Sequence, residues 1–281
     1  MKHRIVRREQ LGGDIYLFEI EADLVATRFK PGQFVIIRTT ERGERIPLTI
    51  AGVDPEKGTV TFVVQAVGKS TRELAQLAAG DALQDCIGPL GNASEIERFG
   101  RVVCIGGGTG IACVYPIIQA MARAGNEVIS IIGARTASML FLEEEIRKLS
   151  NNIYVTTDDG SKGRRGFVTD VLKDLLKQYG GSGGVQRVVA IGPPLMMKVV
   201  ADATRPYGVK TIVSLNTIMV DGTGMCGACR VYIDGKMKFA CIDGPEFDAH
   251  KVNFEDLISR LTMFEEKERA ACEHCGDEGG R

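Results

Sequence analysis

Three cysteines and one carboxylate carry the strongest chemical signal in this sequence. Cys226, Cys229 and Cys241 are spaced C-x2-C-x11-C, and Asp221 stands five residues ahead of the first of them. Plant-type [2Fe-2S] sites take their ligands as C-x4-C-x2-C plus a distant cysteine, so this run fits such a site with an aspartate in place of the first thiolate. Gly222, Gly224 and Gly227 let a short loop curl tightly enough for backbone amides to face bridging sulfides. Three thiolates and a carboxylate can also hold zinc in a closed knuckle, and a zinc-bearing interaction module without catalysis stands as the alternative. The iron-sulfur reading makes the chain a carrier of single electrons.

Two further patterns suit phosphate. The run Cys104–Cys113, CIGGGTGIAC, reads as a strand entering a glycine-rich turn and then a helix. Glycines there allow close backbone approach, and the free amides of the helix N-terminus attract a pyrophosphate. Ile111 occupies the third glycine of a strict G-x-G-x-x-G, so a tight strand-to-helix turn is the competing reading. A second turn, IGPPLMMK at 191–198, closes another strand and would lie beside the first at the carboxyl edge of a parallel sheet. Nearer the N-terminus, Arg45, Pro47 and Thr49 share one strand, and Gly68, Lys69, Ser70 and Thr71 precede a helix. A guanidinium and helix amides together suit a diphosphate, although each alone is an ordinary surface cation or helix cap.

The elements that must position these groups change character along the chain. Residues 1–98 hold short β-patterned runs, Ile15–Ile20, Gln33–Arg38, Leu48–Val53 and Val60–Ala66, broken by Gly and Pro, which predicts a small antiparallel barrel. Ser70 and Glu73 are spaced as a capping box for its one helix. Over 99–217, strand and helix patterns alternate: Val102–Ile105, Ile111–Ala124, Val128–Ile132, Ile153–Thr157 and Arg187–Ile191. That alternation predicts a doubly wound α/β domain with a parallel sheet. The glycine-rich stretch at 179–184 reads as a surface loop. A cluster segment spans 218–250, and a helix and tail span 251–281. Asn253 caps that helix, whose apolar stripe Phe254, Leu257, Ile258, Leu261 and Phe264 is expected to serve as a docking surface or to pack on the chain's own body.

Composition excludes several classes. With 281 residues, 44% hydrophobic and 25% charged, the chain can bury more than one core. A net charge of −1 offers no field for nucleic acid or acidic membranes. No apolar run approaches a membrane span, and the basic start MKHRIVRREQ leads into a β-like segment, so a cytoplasmic location is expected. Cys86, Cys104 and Cys113 read as reduced core residues, and the single C-x2-C of Cys272 and Cys275 as part of a disordered end. His3, His250 and His274 have no nucleophile motif nearby, which argues against hydrolysis.

The order R-x-P-L-T-I, GGGTGIA, GPP-x-M and C-x-DGP-x-F resembles the ferredoxin reductase superfamily over residues 4–260. Within it the chain is similar to the branch containing dihydroorotate dehydrogenase electron-transfer subunits and the small subunits of NADH-dependent reduced ferredoxin:NADP oxidoreductases. The resemblance implies FAD on Arg45, Pro47, Leu48, Thr49, Val64, Gln65, Ser70 and Thr71. It implies NAD(H) on Gly107, Gly108, Thr109, Gly110, Asp158, Asp159, Gly192 and Pro193, and the cluster on Asp221, Cys226, Cys229 and Cys241. Aspartate at 221 matches the transhydrogenase branch, whereas dihydroorotate-type subunits carry cysteine there. Ile191 replaces the cysteine that many relatives carry before the GPP turn, so no thiol acts at that place. Arg135 after the second strand leaves NADP open, and the resemblance favours NAD(H). The implied partner is a larger flavin and iron-sulfur subunit with an NADP(H) site, forming a heterodimer that serves ferredoxin by electron bifurcation. Subunits of dihydroorotate dehydrogenase or of a sulfide dehydrogenase are the alternatives.

Overall fold

The computed structural model describes residues 2–180, 184–264 and 266–268. Its first sheet is built from β1 (His3–Gly12), β2 (Ile15–Glu21), β3 (Phe34–Arg38), β4 (Ile46–Asp54), β5 (Thr59–Gln65), β6 (Ala82–Leu83) and β7 (Asp85–Leu90). The antiparallel order is β6-β1-β2-β5-β4-β3-β7. Its two edge strands, β6 and β7, are separated in the chain by Gln84 alone, so the sheet must curl back on itself into a nearly closed barrel. Alternation decides what lies inside. Phe18 and Ile20 of β2 are fully buried inside the barrel while Ile15 is buried on its outer face, and Phe18 stacks on its cross-strand partner Phe62 with ring centroids 5.8 Å apart.

Two helices, α1 (Asp23–Arg28) and α2 (Lys69–Gln76), complete this unit. The capping box expected from Ser70 and Glu73 is replaced by another arrangement. Gly68 is the N-cap, and the Thr71 hydroxyl accepts the backbone N–H of Gly68 at 3.0 Å and of Val67 at 3.1 Å. The Ser70 hydroxyl instead donates to the Glu44 carboxylate.

The second sheet contains β8 (Arg101–Gly107), β9 (Glu127–Ala134), β10 (Asn152–Thr157), β11 (Arg164–Arg165), β12 (Val185–Ile191) and β13 (Lys210–Ser214), all parallel, in the order β11-β10-β9-β8-β12-β13. Between them run α3 (Gly110–Arg123), α4 (Glu143–Leu149), α5 (Val168–Tyr179) and α6 (Pro194–Thr204). The two faces separate by residue parity. Val102 and Cys104 meet Val114, Ile117 and Ile118 of α3, while Val103 and Ile105 meet Leu172 of α5 and Val200 of α6.

The C-terminal segment forms a hairpin of β14 (Arg230–Ile233) and β15 (Lys236–Phe239), then the short α7 (Ala240–Asp243), β16 (Glu246–Asp248) and α8 (Phe254–Leu261). Asp234 and Gly235 both take positive φ, as a two-residue hairpin turn requires. The strand β16 pairs antiparallel with β13 and so adds a seventh strand to the second sheet. Asn253 caps α8 by accepting the Asp256 N–H at 3.0 Å.

The stripe on α8 docks on the chain's own body: Phe254 and Leu257 are 6% and 2% exposed and join the core beneath α6. Phe264 lies beyond the helix and is exposed. Among the described residues no helix is long and apolar enough to cross a membrane. Residues 181–183 of the glycine stretch, together with Cys272, His274 and Cys275, lie outside the described residues. Truncating Leu257 to Ala should lower unfolding stability by about 2–4 kcal/mol in denaturant titration, because the stripe is an intramolecular anchor. A loss under about 0.5 kcal/mol, the scale of a surface site, would contradict that packing.

Candidate functional site

The central strand β8 is flanked by β9 on one side and β12 on the other, so the chain departs from it in both directions. A crevice opens at such a switch point, outside the carboxyl ends of the strands. Two turns line it. At Gly110 an added Cβ would lie 2.1 Å from the Ile191 carbonyl oxygen, and at Gly106 one would meet the Ile111 Cα at 2.8 Å. Gly108 takes φ +56°, a conformation that suits glycine. The turns therefore approach closely, and Gly110 opens α3, whose Ile111 and Ala112 amides donate to the Gly108 and Thr109 carbonyls at 3.1 Å.

These turns border a cleft of about 850 Å³. From the expected nucleotide residues it gathers Gly107, Gly108, Thr109, Gly110, Asp158, Gly192 and Pro193. From the expected flavin residues it gathers Pro47, Thr49 and Gln65, which the barrel presents on the opposite wall. Gln65 is oriented by Asp14, whose two carboxylate oxygens accept its Nε2 at 3.1 and 3.2 Å.

The others lie outside the cleft wall. Leu48 and Val64 pack into the barrel core, Arg45 is exposed, and Ser70 and Thr71 order the start of α2. Asp159 is occupied by its own loop: it accepts the Ser161 N–H at 2.9 Å and hydroxyl at 2.6 Å, and these bonds hold its carboxyl below the ordinary range.

Several wall residues carried no motif. Phe34, Phe167, Thr217 and Met219 line the cleft, as do Pro245, from the C-x-DGP-x-F run, and Cys113, expected in the core. Burial raises the Cys113 thiol, with Thr49 acting the other way. Cys86 and Cys104 are free, buried thiols pushed up to about 12 by desolvation.

In the cysteine segment the four expected ligands form two pairs. The sulfurs of Cys229 and Cys241 lie 3.2 Å apart and are buried, 1% and 2% exposed. Burial pushes the Cys241 thiol up to about 12, with the neighbouring Cys229 adding. Asp221 and Cys226 form the outer pair: an Asp221 carboxylate oxygen accepts the Cys226 N–H at 2.8 Å. The Asp221 carboxyl is held below its ordinary range first by the Thr223 N–H, then by the Cys226 and Met225 amides and the Cys226 thiol. The loop glycines are needed where they stand, since a Cβ on Gly222 would meet Ile36 and Leu90 of the barrel at 2.6 and 2.7 Å. Among the described residues these four do not converge on one point as a single metal-ion set. Two donor pairs nevertheless suit two irons, and the donor types fit.

Barrel, doubly wound sheet and cleft define an electron-transfer oxidoreductase of the ferredoxin reductase fold. Residues 104–202 match the oxidoreductase NAD-binding domain, and residues 216–253 match the iron-sulfur cluster binding domain of dihydroorotate dehydrogenase B. The iron-sulfur match decides between the iron and zinc readings. The chain is 45% identical over 271 residues to a Thermotoga maritima protein named as a dihydroorotate dehydrogenase B (NAD+) electron transfer subunit homolog, covering 96% of this chain and 94% of that one. A solved structure of the NADH-dependent reduced ferredoxin-NADP oxidoreductase, described for flavin-based electron bifurcation, superposes with a TM-score of 0.91 at 45% identity over 97% of both chains. An Amycolatopsis cytochrome P450 reductase shares the fold at 24% identity, with a TM-score of 0.61 over 73% of this chain and 65% of that one.

The chain belongs to the family of dihydroorotate dehydrogenase B electron-transfer subunits. It is an oxidoreductase subunit whose cofactors are FAD, an iron-sulfur cluster and NAD(H). Its relatives are electron-transfer subunits of multi-subunit enzymes, so it works with a partner subunit. Gly110→Ala should weaken NADH binding about tenfold or more, because the added methyl would force the two turns apart. FAD content, held from the barrel side, should stay near wild type. Unchanged NADH affinity in a binding titration would show that the turns do not hold the dinucleotide.

Proposed function

We propose that this chain is the NAD(H)-side subunit of a bifurcating NADH-dependent reduced ferredoxin:NADP oxidoreductase. The observation that carries this reading is the whole-chain similarity to that enzyme's structure. Asp221, placed ahead of the cysteine triplet, is consistent with that branch. The partner in this reading is a larger flavin and iron-sulfur subunit with an NADP(H) site, and ferredoxin is served through it. We place the heterodimer in the cytoplasm.

FAD, when bound, supplies the exchange between hydride transfer and single-electron transfer that nicotinamide and a cluster otherwise lack. The residues of this chain bind and orient. Gly107–Gly110, with Gly192 and Pro193, hold the pyrophosphate of NAD(H) at the α3 N-terminus, while Asp158 faces the ribose end. Pro47, Thr49 and Gln65 hold the flavin ring from the barrel. Arg45, Ser70 and Thr71 hold its diphosphate from outside the cleft wall, with the backbone at Leu48 and Val64 supporting it. Asp159 shapes its loop. Asp221 and Cys226 offer one pair of donors to the cluster, and Cys229 and Cys241 the other. Met225 and Ile242, exposed beside the outer pair, give the partner subunit an apolar contact.

A second reading, service to a dihydroorotate dehydrogenase subunit, draws on the family itself. Anaerobic copurification from the native cell, followed by assays with ferredoxin and NADP against orotate, separates the two. Orotate-dependent turnover in the purified complex would refute the bifurcating assignment.

Arg45→Ala should cause loss of FAD on dilution, by about ten- to a hundredfold in affinity, as removal of a charge-assisted hydrogen bond implies. Full flavin occupancy after dilution would remove Arg45 from the diphosphate site. Asp221→Cys should assemble a cluster with an altered midpoint potential, since oxygen is a harder donor than sulfur. A redox titration superimposable on wild type would show that Asp221 only orders its loop.

A further inference from the structure

The cleft has a wall that no motif marks, the segment Ser214–Met219 that follows β13. Thr217 in this wall is 8% exposed, and its hydroxyl is shut off from solvent with no hydrogen-bond partner. Buried side-chain hydroxyls nearly always have one, so an orphan calls for an explanation. Among the described residues two other buried side-chain atoms share this state. Glu143 Oε2 faces Lys162 Nζ at 2.7 Å, and Asp256 lies in the first turn of α8, away from the cleft. Thr217 alone borders the cleft.

Its position indicates what would satisfy it. The cleft runs from Arg135, Asp158 and Lys173, at the ends of β9 and β10 and on α5, to the place where the barrel residues Pro47, Thr49 and Gln65 reach the sheet. The wall carrying Thr217 is tied to this second end: the Leu215 N–H donates to the Pro245 carbonyl at 2.9 Å, and Pro245 and Phe34 of β3 meet at Gly91, where an added Cβ would lie 2.8 and 2.9 Å from them. A planar ring held by the barrel there has a polar edge with carbonyl and ring-nitrogen acceptors, and a hydroxyl on the facing wall can donate to it.

We propose that Thr217 is a positioning residue whose hydroxyl donates a hydrogen bond to the polar edge of the flavin isoalloxazine. The inference rests on the barrel wall holding FAD. Loss of one such bond weakens retention and, because a donor favours the more electron-rich reduced ring, lowers the flavin midpoint potential.

The test uses the flavin-loaded full chain. Thr217→Val keeps the shape and removes the donor, while Thr217→Ser keeps the donor and trims the methyl. The expected result is about fivefold weaker FAD retention on dilution in Thr217→Val, together with a lowered flavin potential and a shifted visible flavin band. Thr217→Ser should restore all three. A Thr217→Val flavin with wild-type spectrum and potential would overturn the proposal, as would equal changes in both variants, which would indicate packing alone. A change confined to NADH affinity would also overturn it, since the ring contacted would then be the nicotinamide. If Arg45→Ala loses FAD while Thr217→Val behaves as wild type, the barrel assignment stands and only the hydroxyl's role fails. A wild-type chain isolated without flavin would remove both.

Discussion

The site depends on one close contact, the backbone of the turn after β8 lying against the backbone of the turn after β12. The two strands run side by side with Gly106 opposite Ile191, and the chain then diverges into α3 and α6. Gly110 has room for hydrogen only toward the Ile191 carbonyl, and a Cβ on Gly192 would stand 3.2 Å from the Gly107 Cα. With Met196 of α6 packed over Gly107 and Gly192 and no side chain between Gly110 and the Ile191 carbonyl, the start of α3 sits at the mouth of the crevice. Wider packing at this point would set the helix amides back from any phosphate bound there, and the attraction of a helix end falls off within its first turn.

This geometry is useful only if the barrel stays fixed over it, and the barrel contacts both faces of the sheet. Ile15, Ala51 and Val63 join the core beneath α3, while Phe34 and Ile36 join the core that contains Cys229 and Cys241. Polar contacts fasten the connection. The Ser94 N–H donates to the Pro31 carbonyl at 2.8 Å, Gln33 reaches the Gly91 carbonyl at 2.9 Å, and the Asn92 N–H reaches the Gly244 carbonyl at 2.6 Å. Arg187 pairs with Glu95 at 2.7 Å, its guanidinium lying 3.7 Å over the Phe99 ring. Burial raises the Glu246 carboxyl, while the Ser94 hydroxyl stabilises its charged form. The segment 91–100 between β7 and β8 is thereby tied to barrel, sheet and C-terminal segment together.

What the sequence revealed follows from where a local rule operates. The glycines of GGGTG, the GPP turn and the cysteine spacing each impose a backbone requirement within a few residues, and such requirements are legible as motifs. The repeat of strand and helix likewise disclosed the sheet domain. Barrel closure through Gln84 and the joining of β16 to β13 depend on pairings distant in sequence, for which the two-residue β6 and three-residue β16 carry little periodic signal. The helix α2 was legible, but its cap was misread. Gly68 offers no side chain to announce itself, and Ser70, which looks like a cap, bonds to Glu44 instead. The wall 214–219 was invisible for a related reason: Thr217 resembles any strand-end threonine until the barrel is placed across from it.

That wall also explains why the cysteine loop stands where it does. Only Val220 separates Met219, the last wall residue, from Asp221 of the loop, so cleft and cluster segment are joined by an almost direct covalent connection. The loop is seated against the barrel as well, since Gly222 lies on Ile36 and Leu90. Its two donor pairs then face different surroundings. Cys229 and Cys241 share the buried core with Phe34 and Ile36, whereas Cys226 and Asp221 lie in the exposed loop with Met225, 89% exposed, between them. Low polarity around the inner pair disfavours charge, and the amides around the outer pair favour it. A cluster held by both pairs would have one side against the apolar core and the other toward solvent.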